Sequence, residues 1–275
     1  MAMGRVKMIQ EIYSFEAYED FIREIAADAD FRDPHFTYHE SNLYRSLENP
    51  HARAYITTEN GAVTGLFAWL LLPEEQYIEL LVGLAKSESP FREMLTFLEK
   101  AYPHCQMDFI LNPRNGAFCR VLEQKGSTFD AEQIKMRWER AVVPIRPHDI
   151  LPLTPEWEEA YHARHERETY WTADKILAAR DRFRVFIAVK GRELIGYIDV
   201  TYGYEENEPY ALWVDEKYAG QGYEQSLLAV AAAQNASHDL IAFVGADDAA
   251  GIEIYRAAGF SAMAGQNHIY ATYHP

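Results

Sequence analysis

The pattern of apolar and polar positions, interrupted by turn residues, predicts a series of strands and helices in the first half of the chain. Ala52 to Thr58 reads as a strand, Asn60-Gly61 as a hairpin turn, and Ala62 to Leu71 as the returning strand. Two helical segments precede this hairpin, an amphipathic stretch from Phe15 to Ala26 and one opened by a capping-box pattern at Thr37 and Glu40. The other predicted elements are strand Gln76 to Leu84, a helix from Ser89-Pro90 to about Tyr102, strand Gln106 to Leu111, helix Arg114 to Gln124 ended by Gly126, and a last strand or strand pair within Ser127 to Glu139.

The same order of elements returns in the second half. Phe183 to Val189 and Glu193 to Tyr202 are predicted strands on either side of a turn at Lys190-Gly191. Two helices are predicted ahead of them, one opened by Thr154-Pro155 and one capped by Thr172. The other predicted elements are strand Tyr210 to Val214, helix Tyr223 to Asn235, strand Leu240 to Val244, helix Ala249 to Ala258 ended by Gly259, and a strand from Phe260 onward.

Two pairs of landmark glycines support an internal duplication. The turn glycines Gly61 and Gly191 are 130 positions apart, and the helix-ending glycines Gly126 and Gly259 are 133 positions apart. A near-constant offset between equivalent landmarks indicates one fold present twice. We therefore predict two domains, residues 1–141 and 142–275, with Val142 to Pro147 as a linker or as the first strand of the second domain.

Composition narrows the class of protein. The chain has 275 residues, 48% hydrophobic and 25% charged, which is typical of a folded protein. No apolar run reaches the roughly 18–20 residues of a membrane span, and the N-terminus lacks an apolar signal core, so we expect a cytoplasmic location. The net charge of −16 disfavours nucleic acid and membranes as partners and favours a cationic amine.

Cysteine and histidine usage predicts neither a disulfide framework nor a metal site. Cys105 and Cys119 are interpreted as reduced, mostly buried thiols. His162 and His165, three positions apart on a predicted helix, are assigned to a solvated helix face, and no cluster of His or Cys has metal-ligand spacing.

Residues 212–225 form the most informative segment. An apolar run ends at Val214, Gly220 and Gly222 follow, and an apolar-faced segment begins at Ser226. This is a strand, a glycine loop and a helix. Such a loop can direct several backbone N–H groups at one point beside the positive end of a helix dipole, which suits a phosphate or pyrophosphate. A tight turn without a ligand is the alternative interpretation.

Two segments in this half resemble a known family. Val214 to Leu228 resembles the pyrophosphate loop of the GNAT superfamily of acyl-CoA-dependent N-acyltransferases, and Asp248 to Phe260 resembles its later Asn-x-x-Ala…Tyr-x-x-x-Gly-Phe segment. The first half shows only an echo, in Asn112 to Gly126. The resemblance implies an α/β (α+β) fold of two tandem GNAT-like domains, each with a mixed, mostly antiparallel central sheet flanked by helices, the first of them degenerate.

The resemblance also implies how a cofactor, acetyl-CoA or CoA, would be held. Main-chain groups of a splayed third strand would pair with pantetheine and could stabilise an oxyanion, and backbone N–H groups of the loop would bind the pyrophosphate. The implied cofactor-binding residues are Leu212, Trp213, Val214, Ala219, Gly220, Gln221, Gly222, Tyr223, Glu224, Gln225, Asp248 and Tyr255.

The candidate catalytic residues are Tyr255 and Glu208. Tyr255 lies where the family places its general acid, and a phenol can protonate a leaving thiolate. Glu208 precedes the third predicted strand, near where an amine should enter, and is the candidate general base. Glu205, Glu206 and Asp199 stay open as alternatives for the base.

Several positions depart from the family pattern. Ala219 stands where Arg or Gln is usual, and Glu224 stands where Gly or Ala is usual, so that its carboxylate would suit the helix dipole but repel a bound phosphate. Asp248 and Gly251 replace the usual Asn and Ala. In the first half, Ala85 to Pro90 has no glycine pair, and we predict that this half does not bind CoA in the family's manner.

Two functions are compatible with these residues. The first is an N-acyltransferase that passes an acyl group, expected to be acetyl, directly to a small amine or a peptide amino group. The alternative is a catalytically inactive GNAT-like protein that binds acyl-CoA, a small ligand or a protein partner. Oligomeric association is left open.

Overall fold

A computed structural model describes residues 7–139, 150–167, 169–235 and 238–275. The chain divides into two compact units, which we call unit 1 (Met1–Gln133 and Ala264–Pro275) and unit 2 (Ile134–Met263). Both are built from mixed sheets flanked by helices, so the predicted α/β fold class is confirmed. The expected linker, Val142 to Pro147, and the expected domain boundary lie outside the described residues.

Unit 1 contains a seven-stranded sheet in the order β1-β2-β3-β4-β5-β15-β6. All neighbours are antiparallel except β4 and β5, which are parallel. Its elements are β1 (Lys7–Ile12), α1 (Glu19–Ala26), α2 (Pro34–Tyr38), α3 (Ser41–Tyr44), β2 (Ala52–Glu59), β3 (Ala62–Leu72), β4 (Tyr77–Ala85), α4 (Glu88–Ala101), β5 (Gln106–Leu111), α5 (Gly116–Lys125), β6 (Thr128–Phe129) and β15 (Ile269–Tyr273).

Local chemistry explains the elements that the sequence predicted in unit 1. Asn60 and Gly61 have φ values of 52° and 83°, the left-handed conformations that a two-residue turn between β2 and β3 requires. Gly126 ends α5 at φ 80°, a conformation that costs glycine no strain. The buried faces of the two helices are in contact, since Phe91 of α4 stacks on Phe118 of α5 with ring centroids 4.1 Å apart.

The capping-box prediction at Thr37 and Glu40 is wrong. Thr37 lies inside α2, whose N-cap is Asp33, and the Asp33 side chain accepts from the Phe36 N–H at 3.1 Å. Glu40 pairs instead with Arg23. The residue that caps this helix is therefore four positions earlier than the predicted one.

Unit 2 contains two four-stranded sheets, in the orders β12-β10-β9-β8 and β11-β13-β7-β14. Helix α8 packs its buried leucines and alanines against the first sheet and against β13. The elements are β7 (Gln133–Trp138), β8 (Ile150–Pro152), α6 (Glu158–Arg164), α7 (Ala173–Ala178), β9 (Phe183–Lys190), β10 (Glu193–Thr201), β11 (Glu206–Asn207), β12 (Pro209–Val214), α8 (Tyr223–Gln234), β13 (Asp239–Gly245), α9 (Ala249–Ala257) and β14 (Phe260–Ala262).

Strands β7 and β15 do not belong to the units that their positions in the sequence suggest. The C-terminal strand β15 pairs antiparallel with β5 and β6 in unit 1, and β7 lies between β13 and β14 in unit 2. The division expected from the sequence, 1–141 and 142–275, places both strands the other way round. Long-range strand pairing leaves no local periodicity in a sequence, which is why hydrophobic patterning does not reveal this arrangement.

In the described part of the chain, no helix combines the length and the apolar character needed to cross a membrane.

Candidate active site

Glu208 lies between strands β11 and β12, which pair with different strands of unit 2. Upstream, β11 pairs in parallel with β13 through Glu206↔Asp239 and Asn207↔Leu240. Downstream, β12 pairs antiparallel with β10 and belongs to the other sheet. We call the opening between β12 and β13 the fork, and Glu208 lies at its base.

The backbone at Glu208 is fixed from the side of β10. Its N–H donates to Thr201 Oγ1 at 2.8 Å, and its carbonyl accepts from the Thr201 N–H at 2.9 Å. With both main-chain groups bonded, the position of the side chain depends on its own torsions rather than on loop motion. The fork therefore begins at a residue whose main chain is anchored.

Main-chain groups of β12 face the fork. The Asp215 N–H donates to Ile195 O at 2.8 Å, which sets the alternation along the β10–β12 ladder. Leu212 and Val214 then direct their N–H and C=O groups away from β10, to the side where the described residues provide no paired strand. Trp213 turns its main chain toward β10, and its ring stacks on Tyr197 at 5.8 Å.

The glycine loop connects β12 to α8 through one tight turn. Gly220 and Gly222 have φ values of 69° and 90°, and Gly222 is the N-cap of α8. The N–H groups of Ala219 and Gln221 close the turn by donating to Glu216 O and Tyr218 O, both at 3.2 Å. Those of Gly220 and Gly222 donate to no acceptor among the described residues. Of the amides predicted to face a pyrophosphate, that of Gln221 is thus engaged within the turn.

The first turn of α8 carries two buried acceptors. Glu224 Oε2 and Gln225 Oε1 are both buried, and among the described residues neither accepts a hydrogen bond. Tyr223 is buried as well and packs edge-on against Tyr218, with centroids 6.0 Å apart. The carboxylate of Glu224 is favourable at a helix N-terminus but opposes an anion bound at the same place.

Helix α9 is preceded by Asp248, whose side chain contacts Gly251. Asp248 is its N-cap, and its side chain accepts from the Gly251 N–H at 2.8 Å. A Cβ at position 251 would lie 2.1 Å from Asp248 Oδ2. An alanine at position 251 would therefore require the capping carboxylate of Asp248 to move.

The charge of Glu208 acts on Tyr255, and the pKa values of both residues are raised. Burial raises the pKa of Tyr255 to about 12, with further contributions from the negative charges of Glu208 and Asp248. Burial also raises the pKa of Glu208; the charge of Lys135 lowers it, and that of Glu206 raises it. A half-buried carboxylate with raised proton affinity and a phenol that stays protonated are suited to accept and to donate a proton, respectively.

The other three candidate bases are differently placed. Glu205 is exposed, and Glu206 forms an ion pair with the Nζ of Lys135 at 2.9 Å. Asp199 is fully buried and receives two side-chain hydrogen bonds, from Tyr161 at 2.8 Å and from His165 at 2.9 Å. Among the four carboxylates, Glu208 alone combines a place at the base of the fork with a raised pKa and no ion pair among the described residues.

The interpretation of His165 as a solvated residue is wrong. His165 is 5% exposed, its Nε2 is bonded to Asp199 Oδ2, and its Nδ1 lies 2.8 Å from Glu166 O. Burial lowers the pKa of His165, but the hydrogen bonds to Asp199 and Glu166 raise it by more. Both ring nitrogens and both Asp199 oxygens are occupied, so this cluster anchors the segment after α6 and has no free group for a substrate.

Unit 1 has an equivalent opening, and it is filled. Strands β4 and β5 pair only from Tyr77↔Gln106 to Leu80↔Phe109, and β4 continues beyond. There the Gly83 N–H donates to Asp33 Oδ2 at 2.9 Å, and Leu81 O lies 2.7 Å from His35 Nδ1. The strand groups that correspond to those of Leu212 and Val214 are thus bonded to side chains at the start of α2.

The described residues contain no group of three or more His, Cys, Asp or Glu side chains arranged to hold a metal ion. Cys105 and Cys119 are free, the first buried and the second half-buried. Burial raises the pKa of both thiols, which makes them poor nucleophiles.

Two residues of these openings were not found from the sequence. Lys135 lies between Ile134 and Met136 in a strand, where alternation would place it on a solvated face, yet it is 4% exposed. Asp33 precedes Pro34, a pattern typical of a helix N-cap that could have revealed its local role. Its bond to β4, fifty positions away, carries no sequence signal.

Comparison with known proteins adds a family. Residues 150–260 match the model described as the acetyltransferase (GNAT) family. No curated protein matches the sequence.

Solved structures with the same fold extend over the whole chain. A tandem GNAT protein from the clavulanic acid biosynthesis pathway matches with a TM-score of 0.55 and 13% identity, covering 98% of both chains. A GNAT-family acetyltransferase from Colwellia psychrerythraea matches at 0.56 and 13%, covering 98% of this chain and 100% of that one. A GCN5-related N-acetyltransferase from Sphaerobacter thermophilus matches at 0.58 and 12%, covering 80% of each. At these identities the likeness concerns the fold, which is that of a tandem GNAT protein.

Proposed function

We propose that unit 2, whose residues 150–260 match the model of the acetyltransferase (GNAT) family, is an N-acyltransferase that passes an acetyl group from acetyl-CoA to the amino group of a small molecule or peptide. The observation that carries the proposal is the fork, which opens at Glu208 and leads to the glycine loop. A carboxylate on an anchored stretch of main chain, unpaired strand amides and a helix N-terminus lie along one continuous segment, residues 208–224.

The groups of the fork fit an acyl-CoA at two places. Leu212 and Val214 offer main-chain donors and acceptors at an open strand edge, as an amide-rich pantetheine chain requires. Gly220 and Gly222 offer N–H groups at the N-terminus of α8, as a pyrophosphate requires. A Cβ at Gly220 would meet nothing within 4 Å, so the approach to the loop is open. When bound, acetyl-CoA supplies a thioester acetyl group and a leaving thiolate.

Two side chains handle the protons. The carboxylate of Glu208 accepts a proton from the substrate nitrogen. Its raised pKa makes it a stronger base than an ordinary glutamate, because the pKa lies closer to the pH at which the reaction proceeds. The phenol of Tyr255 holds its proton throughout the neutral range and donates it to the departing sulfur. The net charge of −16 favours the approach of a cationic amine.

Calorimetric titration with CoA tests the first requirement. Gly220→Ala forces a non-glycine residue into φ 69° and displaces the loop amides, so we expect CoA affinity to fall about tenfold. Gly61→Ala is the matched control, since Gly61 also has a positive φ, 83°, and nothing within 4 Å, but lies in a hairpin of unit 1. Equal effects of the two substitutions, or no binding to the unaltered protein, would refute the cofactor assignment.

Release of free thiol from acetyl-CoA with a panel of amines tests catalysis. Glu208→Gln and Tyr255→Phe should each lower kcat by about 10² or more while leaving CoA affinity nearly unchanged. Glu205→Gln, in the same acidic segment but exposed, should leave kcat within about twofold.

A second candidate, a non-catalytic acyl-CoA sensor, is favoured by the buried carboxylate oxygen of Glu224 at the helix N-terminus. CoA binding without amine-dependent thiol release would select this candidate. Amine-dependent release that Glu208→Gln abolishes would exclude it.

A further inference from the structure

A buried ion pair lies beside the base of the fork. Lys135, on β7, is 4% exposed, and its Nζ is 2.9 Å from Glu206 Oε2 on β11. The side chain of Glu206 is 21% exposed, so the pair is largely removed from water. Glu206 is two residues from Glu208, with only Asn207 between them.

Fold stability does not explain this pair. Removing two charges from water costs several kcal/mol per ion, and apolar residues of similar volume in such a position are often as stabilising or more so. Lys135 is moreover the one charged residue among the buried side chains of β7, whose neighbour Met136 belongs to the unit 2 core. Because burying the charge of Lys135 is costly, we expect that charge to act on a neighbouring group.

The ion pair lies close to Glu208, because Glu206 and Glu208 are separated by a single residue. Burial raises the pKa of Glu208, the positive charge of Lys135 lowers it, and the negative charge of Glu206 raises it by a smaller amount. From the facing helix α9, Tyr255 is neutral below its own pKa of about 12, and Asp248 acts on Tyr255. Two charges of opposite sign, on two different strands, thus bias the same carboxylate in opposite directions.

We propose that Lys135 is a positioning residue: its buried ion pair with Glu206, two residues before Glu208, places a fixed positive charge at the base of the fork and keeps the Glu208 carboxylate able to act as a base. The assignment rests on the proposed function in one respect, namely that Glu208 is the base. Lys135 does not touch the substrate; it acts through Glu208. Because β7 precedes residue 142, a fragment starting at 142 lacks this control as well as a strand of its sheet.

Direct titration of Glu208 tests the proposal without any cofactor. Carboxyl carbons of glutamate are labelled with ¹³C, and the Glu208 signal, assigned by its loss in Glu208→Gln, is followed against pH. Lys135→Met should raise the pKa of Glu208 by about 1 unit, and Glu206→Gln should lower it by about 0.5 unit. Lys135→Arg, which keeps the charge, should restore the original value. Lys125→Met is the control, since it removes a paired lysine of unit 1 (Lys125 to Glu99, 2.5 Å) and should leave Glu208 unchanged.

Shifts of opposite sign cannot arise from a merely structural role, because loss of either partner would then disturb the site in the same sense. If Lys135→Met fails to fold, Glu206→Gln still decides, since an unchanged or raised pKa of Glu208 in that variant overturns the proposal. In the thiol-release assay, the acid limb of kcat/KM should move in step with the titration, upward in pH for Lys135→Met and downward for Glu206→Gln. If the pKa of Glu208 shifts as predicted but no acetyl transfer is found, the proposed function is refuted and the role of Lys135 stands. If the enzyme is active but the pKa of Glu208 does not shift, the role of Lys135 is refuted and the proposed function stands.

Discussion

The position of the C-terminal strand gives the sharpest test of the fold. Tyr273, on β15, is 8% exposed and belongs to the core of unit 1, beside Phe109 and Val121. Its hydroxyl donates to Glu99 Oε1 at 2.7 Å, and Lys125 Nζ lies 5.9 Å from its ring centroid. Tyr273→Ala therefore removes a buried aromatic ring together with one hydrogen bond.

The expected loss follows from the burial. Truncating a buried large aromatic side chain to alanine costs about 3–5 kcal/mol, and loss of the hydroxyl alone about 1 kcal/mol. We expect Tyr273→Ala to destabilise unit 1 by about 3 kcal/mol and Tyr273→Phe by about 1 kcal/mol. Tyr270→Ala, on the same strand but 41% exposed, should stay within about 0.5 kcal/mol.

Amide hydrogen exchange measured peptide by peptide shows where the loss falls. A destabilisation of about 3 kcal/mol corresponds to about a hundredfold faster exchange in the strands that open with the unit. Acceleration should appear in β2 to β5 and leave β9, β10 and β13 unchanged. Acceleration confined to residues 183–245 would show that β15 belongs with the unit that precedes it in sequence, and the strand assignment would be refuted.

Three further outcomes are expected. His165→Ala should destabilise unit 2 by about 3 kcal/mol or more in chemical denaturation, because the buried carboxylate of Asp199 loses its partner. His162→Ala should have little effect. Since the pKa of His165 is raised in the folded protein, the stabilisation by His165 is complete below about pH 6.5 and is lost as the pH rises through the folded-state value. Glu224→Gln should tighten CoA binding several-fold at low salt and less at high salt, and unchanged affinity would mean that its carboxylate does not face the ligand. Asp33→Asn should lower the melting temperature of unit 1, because an amide cannot accept at the same geometry from both N–H groups that the carboxylate bonds.

Much of the fold follows from local patterns in the sequence. The hairpin at Asn60-Gly61 and the helix end at Gly126 were predicted because left-handed backbone conformations require particular residues. The glycine loop before α8 was predicted because two glycines lie between an apolar run and an apolar-faced segment, and the structure gives both glycines positive φ values. Such features depend on a few consecutive residues, so the sequence reveals them.

What the sequence could not reveal depends on residues far apart along the chain. The exchange of β7 and β15 between units changes no hydrophobic period, since each strand presents the same alternation to either sheet. The burial of His165 depends on Asp199, a partner 34 positions away whose orientation follows from β10. The sequence already placed Glu208 first among the nearby carboxylates, but setting Glu206 aside required knowing that it pairs with Lys135, 71 positions away.

The two openings differ in what a ligand must displace, and this difference fixes the expected stoichiometry. A pantetheine chain that enters the opening of unit 1 must break the hydrogen bonds of Asp33 to Gly83 and of His35 to Leu81. Each buried group that loses its partner costs about 1–3 kcal/mol. The strand edge of the fork in unit 2 imposes no such cost, because Leu212 and Val214 are not bonded there. The penalty corresponds to about a hundredfold or more in affinity, so calorimetry should find one CoA per chain. Gly220→Ala should weaken that single event, and Asp33→Ala should leave it in place. Two equivalent binding events in the unaltered protein would show that the bonds of Asp33 and His35 do not close unit 1.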